Sequence, residues 1–317
     1  MPKELSVIIP ARSEEFVTIT VENILKNIQA DTEVIVICDG NWPEFPIADH
    51  PRVIIVHHTT PIGQRAATNE GACISRADYI LKIDAHCAVD QGFDRKLIND
   101  HRHRNWTLIP RMYKLDAFNW LCACGHKMGQ GVAPASCEKC GGHDLTKEII
   151  WQPRNSATVS WRFDNNMQFQ YWGEHKRRAR GRIIETMSCI GACFFMRRDR
   201  FWELGGMDEA HGSWGGYGTE LACKAWLSGG KMMTTKNTYF AHMFRCGNFV
   251  GAFDGHGGSF PYDLSNQQIE RARRHSRDLW LNNKWPGQKL PLKWLVERFS
   301  PVPSWTQEEI DKLPDSL

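Results

Sequence analysis

Residues 5–10 read Leu-Ser-Val-Ile-Ile-Pro, a short β-branched run with almost no polar break, the pattern of a strand buried on both faces. After it, Val17, Val21, Ile24, Leu25 and Ile28 recur at spacings of three and four, which lays an apolar stripe along one helix, with Ser13 as its expected cap. Residues 33–38 form a second buried strand that ends in Asp39-Gly40, and residues 52–57 form a third. A helix opens at Ile62-Gly63-Gln64 and runs through Ala72, and residues 79–83 make the strand that delivers Asp84. Strands separated by helix-length segments predict an α/β fold with a mostly parallel sheet and crossover helices, whose ligands collect at the carboxyl ends of the strands. Arg12, Asp39, Arg65 and Asp84 all fall near that edge.

The strand at 79–83 runs straight into Asp84-Ala85-His86. In an extended segment residues i and i+2 point the same way, so Asp84 and His86 can grip one ion from one side. A carboxylate oxygen with an imidazole suits Mn²⁺ or Mg²⁺, and an ion at the end of a buried strand is placed to meet a ligand's phosphates. An aspartate in this position can equally cap the next turn, so its neighbours decide the matter.

Composition narrows the field. A chain of 317 residues that is 42% hydrophobic can bury a full core, and the reading favoured is one domain with an insertion. Net charge is only +3, so the overall balance names no polyanionic partner. Nothing near the N-terminus reads as a signal peptide and no stretch approaches a membrane span, which predicts a soluble, cytoplasmic protein. Its eleven cysteines are then expected to be reduced. Four of them stand as Cys122-Ala123-Cys124 and Cys137-Glu138-Lys139-Cys140, each pair followed by glycine, which predicts a zinc ribbon whose closed tetrahedral shell is structural. The first pair is C-x-C rather than C-x-x-C, so His126 or His143 could replace one thiolate. Cys38, Cys73, Cys87, Cys189, Cys193, Cys223 and Cys246 sit mostly among apolar or small residues and read as small core residues.

Ser6-Val7-Ile8-Ile9-Pro10, Val36-Ile37-Cys38-Asp39-Gly40, the run Gly63-Gln64-Arg65-Ala66-Ala67-Thr68-Asn69-Glu70-Gly71-Ala72 and Ile83-Asp84-Ala85-His86 together resemble the nucleotide-binding half of GT-A fold, family-2-like glycosyltransferases. The D-x-H form resembles the polypeptide N-acetylgalactosaminyltransferases in particular, and Gly191-Ala192-Cys193-Phe194-Phe195-Met196, Gly205-Gly206-Met207-Asp208, Trp214-Gly215-Gly216 and Ala241-His242-Met243-Phe244-Arg245 follow in that family's order. The resemblance implies a GT-A sheet, a nucleoside diphosphate sugar donor, most often UDP-linked, and Mn²⁺ held by Asp84, His86 and His242. It implies donor contacts from Arg12, Glu14, Asp39, Arg65, Asp84 and Arg245, with Asp39 on the base or ribose and the two arginines on phosphate.

One departure bears on mechanism. Where the family carries an acidic pair before Glu-Leu, this chain has Tyr217-Gly218 before Thr219-Glu220-Leu221. Inverting transfer needs a base near the acceptor hydroxyl. Either the transfer is retaining, the outcome favoured here, or Glu220 or Asp208 supplies the carboxylate.

Two basic runs, residues 176–182 and 271–277, lie near Trp151, Trp161, Trp172, Trp280 and Trp285 in sequence. Cations for phosphates and aromatics for extruded bases suit a nucleic-acid groove, which makes a hydroxymethylated DNA base one candidate acceptor. The others are an intracellular glycan, a lipid precursor or a small molecule. Competing classes are a non-catalytic, zinc-containing nucleic-acid-binding protein and a nucleotidyltransferase. Glycine-rich residues 247–262 are expected to form a loop that closes over the donor, residues 265–282 a basic helix capped by Ser or Asn, and Trp294 and Trp305 anchors for a proline-rich tail. Four segments are expected: 1–118, the nucleotide-sugar-binding half; 119–146, the zinc-ribbon-like insertion; 147–262, the acceptor-side half; and 263–317, the C-terminal helix and tail.

Overall fold

The computed structural model describes residues 3–212, 215–244 and 265–317. Arg245, Cys246, Trp214 and the glycine-rich run at 247–262 therefore lie outside the described residues, and with them the expected phosphate contact and closing loop.

The first half builds as its pattern predicts. Strands β1 (Leu5–Ala11), β2 (Thr32–Asp39), β3 (Val53–His58) and β4 (Tyr79–Ile83) alternate with helices α1 (Val17–Asn27) and α2 (Gln64–Ile74). β1 pairs in parallel with both β2 and β4, and β2 with β3. Helix α1 buries Val17, Val21 and Ile24, the predicted stripe. Its cap is not Ser13: the helix starts from Phe16, while Ser13 adopts φ 51° and its hydroxyl accepts from Asn41 Nδ2 at 2.8 Å.

The second half turns the sheet mixed. Next come β5 (Cys87–Val89), α3 (Phe93–Asp100), β6 (Trp106–Cys122), β7 (Lys127–Gly129) and β8 (Leu145–Thr158), then the small hairpin β9 (Trp161–Phe163) and β10 (Phe169–Tyr171). They are followed by α4 (Gly173–Arg178), β11 (Ile183–Glu185), β12 (Cys193–Arg197), α5 (Arg198–Glu203), α6 (Tyr217–Leu227) and β13 (Lys231–His242). The main sheet runs β11-β13-β6-β12-β4-β1-β2-β3. β12 is antiparallel to β4 and β6, so the fully parallel character stops at β4. The long β6 pairs with β8 far beyond the sheet, and the cysteine-bearing segment sits at the tip of this ribbon with β7.

Helices α7 (Asn266–Leu281), α8 (Leu292–Phe299) and α9 (Gln307–Asp311) close the chain. Ser265 caps α7 with Gln268 in a reciprocal box. Trp305 is the tail anchor foreseen, buried with its Nε1 donating to the Phe163 carbonyl at 3.2 Å. Trp161, Trp172 and Trp280 are core residues at no more than 3% exposure, so these three cannot serve as base-stacking platforms. Five of the small-residue cysteines, Cys38, Cys87, Cys189, Cys193 and Cys223, are buried as expected, and Cys73 is exposed.

Candidate metal and donor site

Asp84 follows the last residue of β4, and its backbone N–H is held by the Ala192 carbonyl at 2.9 Å. The turn beyond it is pinned from below by Thr20 of α1, whose buried hydroxyl donates to the Ala85 carbonyl at 2.9 Å and accepts from the Cys87 N–H at 3.2 Å. That clamp fixes the position of His86. β13 shifts register between Thr235 and Tyr239, and its last residues pair antiparallel with β5, setting His242 opposite Cys87. The Met243 N–H then bonds the His86 carbonyl at 3.1 Å. Two local strand pairings thus join residues 156 positions apart.

The result is a cluster of Asp84, His86 and His242 whose ligand atoms lie within 4.8 Å of one another. Nε2 of His86 is 3.1 Å from Nε2 of His242, which in turn is 3.4 Å from Asp84 Oδ2. Two imidazole nitrogens and a carboxylate oxygen converging from separate elements form a donor set that a divalent ion such as Mn²⁺ accepts. Nδ1 of His86 faces Glu14 Oε2 at 3.1 Å, the carboxylate support that orients a ligating imidazole. Burial pushes the His242 imidazole toward its neutral form, the form a ligand must have. Burial works against the charged form of Asp84, but Lys82 beside it and the hydrogen bond with His242 outweigh this and hold the carboxyl well below the usual range.

Lys82 was not among the residues singled out from the sequence. It is fully buried, pairs with Asp84 Oδ1, donates to the Gly191 carbonyl at 2.9 Å and lies 4.9 Å from the centre of the Tyr217 ring. The signal was present: a lysine inside an otherwise apolar strand, two residues from Asp84 and so on its face, needs a partner there. Gln64 also reaches the site, its amide donating to Asp84 Oδ1 at 3.2 Å.

The remaining donor candidates have other partners. Asp39 accepts from the backbone N–H groups of Ile62 and Gly63 at 2.5 and 3.0 Å, so its carboxylate shapes the turn into α2. Arg12 directly follows β1 at the same sheet edge. Arg65, expected on phosphate, is instead buried at 1% exposure: Nε meets Glu220 Oε2 at 2.7 Å, and its Nη atoms donate to the carbonyls of Gly212 and Gly215 at 3.1 and 2.7 Å. Glu220 is fully buried too, paired with Lys224 at 2.9 Å and accepting from the Asp208 N–H at 2.6 Å. A carboxylate so enclosed is not presented to an acceptor. Asp208 is partly exposed but bonded to His211 and His275 at 3.1 and 2.7 Å.

Gly218, which stands where the second acid of the pair was expected, has a steric reason. A Cβ there would lie 1.9 Å from the Cys189 carbonyl oxygen. Gly218→Asn is therefore expected to lower stability by about 1–3 kcal/mol or more, read as a fall in denaturant midpoint, without restoring a base.

At the ribbon tip, Cys122, Cys124, Cys137 and Cys140 converge, with Sγ–Sγ separations of 3.6 Å for Cys122 to Cys140 and 3.7 Å for Cys124 to Cys137. Thiolates on a tetrahedral zinc with bonds of ~2.3 Å would be about 3.8 Å apart, so the four cysteines alone fit the ion. The His143 ring faces the Ala135 carbonyl instead, at 2.7 Å. Cys124→Ser is expected to remove one equivalent of zinc by elemental analysis and to expose the 119–146 segment to proteolysis.

Comparison with known proteins places the fold. Residues 6–117 match the family described as "Glycosyl transferase family 2". The chain is 33% identical over 179 residues to the probable N-acetylgalactosaminyltransferase 9 of Caenorhabditis elegans, covering 56% of this chain and 27% of that protein. It is 26% identical over 263 residues to polypeptide N-acetylgalactosaminyltransferase 8 of Drosophila melanogaster, covering 80% and 39%. The crystal structure of GalNAc-T7 with UDP, GalNAc and Mn²⁺ superposes with a TM-score of 0.62 at 19% identity, covering 94% of this chain and 56% of that one. The class defined is the GT-A glycosyltransferase fold. Within that fold, residues 6–117 resemble family 2 and the chain resembles the polypeptide N-acetylgalactosaminyltransferases, although it spans only about a quarter to two-fifths of the length of these two curated relatives. Among the described residues, no helix is long and apolar enough to cross a membrane.

Proposed function

We propose that this chain is a metal-dependent glycosyltransferase that moves a hexosyl or N-acetylhexosaminyl group from a nucleoside diphosphate sugar, taken to be UDP-linked, to an acceptor hydroxyl. The observation that carries this reading is the convergence of Asp84, His86 and His242 at the carboxyl end of β4, the last strand of the parallel part of the sheet. These three residues would hold the ion, which when bound supplies Lewis-acid charge for a departing diphosphate. Glu14 orients the His86 ring, Lys82 keeps Asp84 ionised, and Gln64 fixes the Asp84 carboxylate from the start of α2. Donor binding is assigned to residues 1–118 and acceptor binding to residues 147–262, with 119–146 a zinc-held insertion and 263–317 a supporting tail. A four-thiolate zinc site needs reduced cysteines, which fits a cytoplasmic setting.

Retention of anomeric configuration is the proposed outcome. Tyr217 is buried with its hydroxyl donating to Thr68 Oγ1 at 3.0 Å, Gly218 has no side chain, and Glu220 is enclosed by two cations, so among the described residues 217–220 offer no free base to an acceptor. For the acceptor, the exposed Arg271 and Arg274 on α7 keep a hydroxymethylated DNA base as a candidate beside glycans and lipid precursors. A purely nucleic-acid-binding role leaves the three converging ligands without a purpose.

The test is hydrolysis of UDP- and GDP-sugars with Mn²⁺ by the full chain, followed by acceptor screening on modified DNA, glycans and lipid precursors. Slow cleavage of one donor supports the transferase. Failure to bind or cleave any donor would overturn it.

A further inference from the structure

A second cluster lies apart from the Asp84 group and shares no residue with it. It is made by Asp208 and His211, at the short 3₁₀ turn Glu209–His211, and by His275 of α7, with ligand atoms again within 4.8 Å of one another. We propose that Asp208, His211 and His275 form a transition-metal site, suited to Zn²⁺, that clasps the C-terminal helix α7 onto the loop preceding α6.

Two imidazole nitrogens approach one carboxylate oxygen. Nδ1 of His211 is 3.1 Å and Nε2 of His275 is 2.7 Å from the same Oδ2 of Asp208. The rings stand nearly perpendicular, at 89° with centroids 4.4 Å apart, so they are not stacked on one another. His211 is fully buried and its Nε2 has no hydrogen-bond partner among the described residues, so Nδ1 carries the polar engagement seen for that ring. The next acceptor to that nitrogen is Glu220 Oε2 at 3.8 Å, a carboxylate already paired with Arg65 and Lys224. Ligand bonds of ~2.0–2.2 Å in a tetrahedral shell place donor atoms about 3.4 Å apart, so the two N···O separations of 3.1 and 2.7 Å would widen by a few tenths of an ångström to admit the ion. Two imidazoles and one carboxylate are the donor types zinc takes when three protein ligands leave a position open.

Access is available. The Asp208 and His275 side chains keep 30% and 32% of their surface, so an ion can enter from solvent. The location gives the site a consequence. Asp208 also offers its N–H to Glu220, and Arg65 holds the carbonyls of Gly212 and Gly215, so an ion here would tie α7 to the buried charges that organise the start of α6. It also accounts for one member of the 271–277 run: His275 turns inward while Arg271 and Arg274 face solvent.

The experiment counts metal. A parent carrying His86→Ala and His242→Ala is stripped with chelator, reloaded with Zn²⁺, dialysed and assayed for bound zinc by elemental mass spectrometry, with thermal melting in parallel. The parent is expected to hold two equivalents, one on the cysteines and one here. His275→Gln, which keeps an N–H donor for Asp208 but no imidazole, is expected to hold one and to lose the zinc-dependent rise in melting temperature that this site contributes. His211→Gln provides the same readout should His275→Gln fail to fold. Glutamine variants that retain as much zinc as the parent, whatever the parent's own count, would overturn the proposal. None of these counts depends on the transferase reading.

Discussion

Replacing His242 with alanine is expected to reduce Mn²⁺-supported donor cleavage about a thousandfold, while the melting temperature moves little. A bound divalent ion contributes several kcal/mol of charge stabilisation, and about 4 kcal/mol corresponds to roughly a thousandfold in rate. His242 is the cleaner probe of the cluster because its removal leaves the pairing of Asp84 with Lys82 in place. Asp84→Asn should lose as much activity, but it also leaves the fully buried Lys82 without its anion, so a stability cost of a few kcal/mol accompanies it. Kinetics over a Mn²⁺ series, with melting curves alongside, separate the two effects. If His242→Ala retained wild-type turnover at low Mn²⁺, the three residues would not be acting as a metal site.

Much of this cluster was legible before the fold was known because it depends on short-range geometry. The i, i+2 relation of Asp84 and His86 follows from the extended chain, and the apolar runs that place them at a strand end are equally local. The part His242 plays needed either the resemblance or the fold, since it rests on the pairing of β13 with β5. The two arginine and glutamate expectations show the limit. Arg65 and Glu220 each carry a charge suited to a ligand, and sequence gives no indication that they are partners 155 positions apart. The Trp residues beside the basic runs misled for the same reason: Trp161, Trp172 and Trp280 are near charge in sequence but packed in the core in space. The cysteine cluster was the opposite case, because close pairs of thiols bring their own geometry and lie only 13 and 18 positions from the partners they meet.

Glu220→Gln is expected to destabilise the protein by about 3–5 kcal/mol, since it leaves Arg65 and Lys224 buried without their shared carboxylate. Burial would raise the pKa of Glu220, but Arg65 and then Lys224 outweigh it and hold it below its ordinary value of 4.5. A carboxyl depressed in the folded state contributes stability that is complete above its unfolded value and is lost as pH falls through the folded one. The wild type should therefore lose part of its stability as pH drops below about 4.5, and Glu220→Gln should show a shallower acid slope from a lower starting point. The same variant addresses the stereochemical question. A catalytic base would show its loss in turnover with the fold intact, whereas an internal counter-ion shows it first in urea midpoint and acid slope. Loss of turnover at unchanged stability would return Glu220 to the acceptor side and favour an inverting transfer, in which a carboxylate takes the acceptor's proton.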